Sequence, residues 1–389
     1  MSRITKLKSS IPRNVWFLSF ISLFNDTASE MLYPVMPIFL THVLGAPVFV
    51  VGLIEGTAEG SAAIFKTIFG YLSDKLGKRK PFVVAGYGAS AVSKLIIAAA
   101  YAWPIVFLGR FTDRFGKGLR TGARDALLLE ATTKDNKGFI FGFHRSMDTA
   151  GAVIGPIIAL VLLKYFGNDI RLILYIAAVP AFLGIILFIF VKEAKTKMQT
   201  TKTKLSLSIT SLPKKLQIFI LGLAIFSLGN SSDAFLILRA KGLGLSLVLV
   251  ISAYILYNLV YALASTPAGE ISDRIGAKKV FILGTAIFAA VYLGFALNIN
   301  PKLIWPLFAV YGFYIALTDG VSKAIIGGLV QKDQSATAYG VVTTVTSFFT
   351  LLSSVIGGFL WSVISPAATF YFAAICALVS IPIFLSLKD

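Results

Sequence analysis

The sequence predicts an all-α membrane protein, with twelve transmembrane helices in two pseudo-symmetric six-helix bundles. Three observations carry this expectation. Apolar residues make up 57% of the 389-residue chain and charged residues only 14%, too little charge to cover a soluble domain of this length. The apolar residues fall in runs near the roughly 20 residues that cross a bilayer. A short basic pattern also occurs twice, about half a chain apart, each time between two long apolar runs. It reads Gly70-Tyr-Leu-Ser-Asp74-Lys-Leu-Gly77-Lys-Arg-Lys80 and then Gly269-Glu-Ile-Ser-Asp273-Arg-Ile-Gly276-Ala-Lys-Lys279.

The spans fall near 14–41, 47–72, 81–101, 104–128, 138–165, 170–191, 215–239, 245–269, 280–299, 302–329, 337–364 and 366–387. Residues 1–191 and 215–389 then form the two bundles. Residues 192–214, rich in Lys, Thr and Ser, form a cytoplasmic linker whose lysines lie near anionic headgroups or in solvent. The halves match in order. Asn25 and Asp26 in span 1 answer to Asn230 and Asp233 in span 7. Lys134-Asp135-Asn136 answers to Lys332-Asp333-Gln334, and Val153-Ile-Gly155-Pro156 to Val355-Ile-Gly357-Gly358.

The net charge of +18 raises the question of nucleic acid, and its distribution argues against that partner. Lys and Arg concentrate at the N-terminus, in the loops after spans 2, 4, 6, 8 and 10, and at the C-terminus. The opposite loops hold only Lys164, Arg171, Arg239, Lys241 and Lys302. This asymmetry places both termini in the cytoplasm and the protein in a plasma membrane, such as a bacterial inner membrane, in contact with its lipids. The first apolar run contains Asp26 and Glu30 and has no small-residue cleavage site after it, so it is expected to stay as span 1. Cys376 is the single cysteine, which excludes an internal disulfide.

Ionisable residues inside spans are costly and are usually kept for function. In span 1, Asp26, Glu30, Tyr33 and Pro37 share one helix face, beside Asn25. Asp26 falls near the midplane, where a poorly hydrated carboxyl group exchanges a proton near neutral pH. The other reading is a carboxylate permanently paired to Arg110 or Arg114. In span 2, Glu55, Glu59 and Lys66 form a second stripe. Glu59 is expected near the midplane and Glu55 nearer the outer, hydrated mouth. Span 4 is the most charged, with Arg110, Asp113, Arg114, Lys117, Arg120, Arg124 and Asp125, and Arg114 is placed to neutralise Asp26 or Glu59. Span 5 adds His144, Arg145 and Asp148, with Gly151 and Gly155 spaced for close helix approach. The proton-coupling candidates are therefore Asp26, Glu30, Glu59, Arg114 and Asp148.

The second half carries fewer charges. Asn230, Asp233, Tyr254, Tyr257, Asn258, Tyr261 and Asp319 are its polar candidates. Tyr254, Tyr257 and Tyr261 recur at i, i+3 and i+7, either lining a cavity or packing between helices. With Asn25, Tyr33, Glu55, Arg110 and Asp113 from the first half, Asn230, Asp233, Tyr254, Tyr257, Asn258 and Asp319 complete the expected substrate cavity.

These motifs resemble those of the major facilitator superfamily over essentially the whole chain. Both copies of the basic loop motif are present. Arg110-Phe-Thr-Asp113-Arg-Phe-Gly116-Lys-Gly118 resembles its span 4 motif, with Asp113 where Gln is common and Arg114 where Gly is common. Gly151-Ala-Val-Ile-Gly155-Pro156 resembles the helix-5 signature of proton-coupled drug antiporters, with Ala159-Leu160 in place of the usual closing Gly pair. The stretch from Phe24 to Pro34 (FNDTASEMLYP) is similar to bacterial nickel-resistance permeases. The resemblance implies a gate in the two loop motifs, with Gly70, Asp74, Gly77 and Lys78 in the first, and Gly269, Asp273 and Gly276 in the second. Asp74 would accept hydrogen bonds near the N-terminus of span 11, where the helix dipole favours an anion, and Lys78 and Asp125 would complete the latch.

The expected function is secondary active transport by alternating access, as a proton-coupled efflux antiporter of a small molecule or ion, acting as a monomer. Alternatives are a divalent, nickel-like cation exporter, a proton symporter, or a non-transporting membrane receptor. No enzyme signature, cofactor motif or phosphate-binding loop is present in the sequence, and His42 and His144, its only histidines, make no metal cluster with cysteine.

Overall fold

A computed structural model describes residues 11–132, 137–167, 169–192, 212–330 and 335–387. The matched loops at 134–136 and 332–334, and most of the linker 192–214, lie outside the described residues. The described chain is helical and contains no strand. In chain order the helices are α1 Arg13–Leu32, α2 Val48–Leu76, α3 Lys80–Ala98, α4 Trp103–Glu130, α5 Lys137–Tyr165 and α6 Ile170–Phe190. They continue with α7 Lys214–Gly242, α8 Leu247–Ile275, α9 Ala277–Leu297, α10 Ile304–Leu329, α11 Ser335–Val363 and α12 Pro366–Ser386.

Among the described residues, 10 helices are long and apolar enough to cross a membrane. The other two long helices, α1 and α4, are the ones that carry Asp26 and Glu30, and the Arg110–Asp125 charges. Polar and charged content, not shortness, separates them from the rest, so the architecture agrees with twelve spans.

Local chemistry sets the helix ends. Pro81, Pro104 and Pro366 stand in the first turns of α3, α4 and α12, where a missing N–H costs nothing. Asp169, Ser246 and Ser365 cap α6, α8 and α12 by accepting backbone N–H groups of Leu172, Leu249 and Ala368. The repeated loop motif stops α2 and α8 at Gly77 and Gly276, with φ of 61° and 100°. Both values lie where a side chain is strained, which explains the glycines. Helix α7 is interrupted between Gly229 and Ala234, so Asn230 and Asp233 sit at a break in the helix.

The chain forms two compact units, Met1–Phe39 with Ser61–Lys202, and Leu40–Gly60 with Thr203–Asp389. Within the first unit α1 packs on α5 and α6, and α3 packs on α4 and α6. Within the second, α7 packs on α11 and α12, and α9 on α10 and α12. The same pairings recur six helices later, the structural counterpart of the repeated sequence pattern.

Candidate functional site

In the first unit the site begins with two glycines. A Cβ on Gly151 would lie 2.5 Å from the Leu23 carbonyl oxygen, and one on Gly155 would lie 2.5 Å from that of Thr27. Only the absence of side chains lets α5 approach α1 so closely. That approach carries Asp148 to the polar face of α1. Ser22 donates from Oγ to Asp148 Oδ1 at 2.6 Å and accepts from Arg124 Nη1 at 3.1 Å and from the Tyr87 hydroxyl at 3.3 Å. Arg145 Nη1 reaches Asp148 Oδ2 at 3.2 Å. Asp26 and Asp148 lie within hydrogen-bonding reach of each other, and Asn25 donates to Asp26 at 3.4 Å. Two carboxyl groups share a hydrogen bond only when one of them carries a proton.

Helix α4 supplies the cationic wall. Arg110, Asp113, Arg114 and Arg120 are all buried. Asp113 meets Lys94 at 2.7 Å, and Lys94 also donates to Ser29 at 3.1 Å. Arg114, Arg120 and Arg110 act on the same Asp113 carboxylate. Arg120 donates to Ser90 and lies over the Tyr87 ring, 4.6 Å from its centroid. Arg124 pairs with Asp125 at 3.0 Å. The α4 residues among these line a cavity of about 390 Å³.

The structure brings Asp26, Glu30, Tyr33, Arg110, Asp113, Arg114, Asp125 and Asp148 to this one cavity. Asp26 and Arg114 line this cavity together with Lys117 and Arg120. Glu55 and Glu59 belong to the second unit; Glu55, expected to be hydrated, is buried, and Glu59 is exposed.

In the second unit Asp233 accepts from Tyr257 at 2.8 Å and from Tyr311 at 2.5 Å. Tyr254 packs edge-on against Tyr257, with ring centroids 5.0 Å apart, and is buried. Tyr261 donates to Asp319 at 3.0 Å, and Lys323 pairs with the same carboxylate at 3.1 Å. The tyrosine stripe thus orients carboxylates. Asn258 donates to the Tyr254 carbonyl, and the Asn230 backbone N–H closes the end of the first half of α7. Tyr261, Gly269, Asp273 and Asp319 line a second cavity of about 280 Å³ beside the second loop motif.

Of the gate candidates, the Asp74 side chain lies outside the described residues. Lys78 and Asp273 are exposed, and a Cβ at Gly70 or Gly269 would meet nothing. Among the described residues, no group of three or more His, Cys, Asp or Glu is placed to hold a metal ion.

Sequence reasoning did not single out Ser22, Tyr87 or Tyr311 as site residues. Ser22 was within reach, one turn before Asp26 on the same face of α1. Tyr87 and Tyr311 are contributed by α3 and α10, and no spacing along the chain announces those contacts.

Known proteins share this architecture. The family model described as Major Facilitator Superfamily matches residues 16–256 and 218–389. An uncharacterized MFS-type transporter of Methanocaldococcus jannaschii is 40% identical over 377 residues, 95% of this chain and 94% of its own. The multi-drug resistance efflux pump PmrA of Streptococcus pneumoniae is 24% identical over 380 residues, 94% of this chain and 92% of its own. The crystal structure of nucleoside transporter NupG matches with a TM-score of 0.81 at 14% identity, covering 97% of this chain and 99% of that one. At that identity the likeness speaks to the fold alone.

Proposed function

The chain belongs to the major facilitator superfamily of multi-pass membrane transporters, and we propose that it is a proton-coupled secondary transporter that expels a small solute by antiport. The observation that carries this reading is the Asp26–Asp148 carboxyl pair at the wall of a charged cavity. A proton shared by two carboxyl groups is gained or lost with little rearrangement of the backbone. Its loss adds a negative charge to a site walled by Arg110, Arg114 and Arg120, and changes which side chains attract one another. A ligand shifts a conformational equilibrium only by binding the two states differently, and a carboxyl group whose partners change meets that requirement.

In the proposed cycle of alternating access, a proton from outside enters the pair as the solute leaves. Deprotonation toward the cytoplasm resets the carrier. Glu30, at the same cavity, and Glu59, in the second unit, are the further carboxyl groups of the scheme, and Asp74, Lys78, Asp125 and Asp273 its gate. Efflux draws support from the pneumococcal relative, itself named an efflux pump. The location proposed is a plasma membrane with both termini in the cytoplasm, from the basic loops.

Proton symport is a second reading, supported by the Lys and Arg around the cavity. If the solute is an anion, protonating the carboxyl pair strengthens its binding, and proton and solute then travel together.

The test is proton movement in proteoliposomes bearing a pH gradient, with lipophilic cations, anionic metabolites and divalent metals added in turn. One class is expected to drive proton movement in the wild type. Asp26→Asn and Asp148→Asn are each expected to abolish it while solute binding persists. Proton-linked flux that survives in the double variant overturns the assignment of the pair.

A further inference from the structure

The cavity in the first unit has a charge surplus that proton exchange alone does not use. Three of its acids are held by cations: Asp113 by Lys94, Asp125 by Arg124 and Asp148 by Arg145. With those pairs set aside, Asp26 and Glu30 face Lys66, Arg110, Arg114, Lys117 and Arg120. The surplus is positive however these side chains pair among themselves.

The cations are ordered as well as numerous. Arg110, Arg114, Lys117 and Arg124 recur at i, i+4, i+7 and i+14 on α4, which places them along one helix face. Arg110 and Arg114 are only 7% and 8% exposed, so little water screens them. A guanidinium group presents a planar fork that matches a carboxylate or phosphate with two parallel hydrogen bonds. A cavity of about 390 Å³ suits a small molecule. The same surplus repels a cationic solute, so the site discriminates by charge sign.

We infer that the solute bound in this cavity is a small anion carrying a carboxylate or phosphate group, held by Arg110 and Arg114 with Lys66, Lys117 and Arg120 around it. The inference rests on the transporter reading and names its substrate class. By the same charge argument, an anionic solute favours proton symport over antiport, because protonating the carboxyl pair strengthens its binding.

The experiment is calorimetric titration of the purified full-length protein in lipid nanodiscs. Sodium succinate and sodium phosphate are the anionic probes, and tetraphenylphosphonium chloride is the cationic one. At least one anion is expected to bind, its identity separating carboxylate from phosphate recognition, and the cation is not. Arg110→Gln and Arg114→Gln should each weaken the anion by about tenfold to a hundredfold, the value of a charge-assisted hydrogen bond. Arg110→Lys and Arg114→Lys keep the charge without the fork, guard against misfolding, and should bind with intermediate affinity. Lys302→Gln, on an exposed helical turn outside the cavity, should bind as the wild type does.

Binding of neither anion overturns the inference, as does anion binding that is indifferent to both glutamine variants, or tight binding of the phosphonium instead. Anion binding that depends on both arginines, combined with proteoliposomes that show no proton-linked flux, supports the inference while removing the proton-coupling proposal.

Discussion

Asp113 shows how a residue in a charged cavity can be structural first. It is buried and meets Lys94 at 2.7 Å. Its chemistry is to hold Lys94 in place, which ties α4 to α3 beside the cavity. Removing one partner of a buried pair strands the other charge, so Lys94→Ala should destabilise the protein by about 3–5 kcal/mol. The double change Lys94→Leu with Asp113→Leu should recover much of that loss, because two apolar groups need no partner. Thermal unfolding in detergent micelles checks both, and a double variant no more stable than Lys94→Ala would remove the pair from its structural role. The charges themselves were legible in the sequence, since an ionisable residue in an apolar run stands out. Their partners were not. Asp26 was readable as a cavity carboxylate, whereas the company of Asp148 from α5 was not, because side-chain reach depends on helix rotation and depth as well as on spacing.

At the scale of elements, the contact between α1 and α5 places the chemistry. Gly151 and Gly155 meet backbone atoms of α1, so any side chain there must push the helices apart. Gly155→Leu is expected to cost roughly 1–3 kcal/mol or more through overpacking. It should also separate Asp148 from Ser22 and abolish transport. Gly70→Ala makes a useful contrast, because nothing lies within 4 Å of the added Cβ, and its unfolding temperature should match that of the wild type. Equal effects of the two changes on unfolding would mean that the α1–α5 approach is not the limiting contact. The glycine spacing was readable as an invitation to close packing, but which helix accepts it was not. The break in α7 is a similar case. Asn230 and Asp233 were visible as polar residues in an apolar run, whereas the interruption from Gly229 to Ala234 and the two tyrosine donors to Asp233 come from packing against α8 and α10.

The whole molecule repeats one packing scheme twice, and its basic loops imply a single orientation in the membrane. Cysteine labelling in intact cells tests that orientation. In a Cys376→Ser background, Lys302→Cys should react with an impermeant thiol reagent added outside, and Arg274→Cys should react only after the membrane is opened. The reverse pattern would invert the topology and, with it, the direction assigned to the proton cycle.

The helical membrane class, the internal repeat, the superfamily and the identity of the charged spans were set by sequence alone. Hydrophobic length, charge distribution and motif spacing are properties of the chain taken one segment at a time. The tertiary structure decided which charges meet. It brought Asp26 and Asp148 to one cavity, buried Glu55 while leaving Glu59 exposed, paired Asp113 with Lys94, and recruited Ser22, Tyr87 and Tyr311. Those outcomes depend on which helix faces which neighbour and at what depth, and many helices must pack together before any one of them is determined.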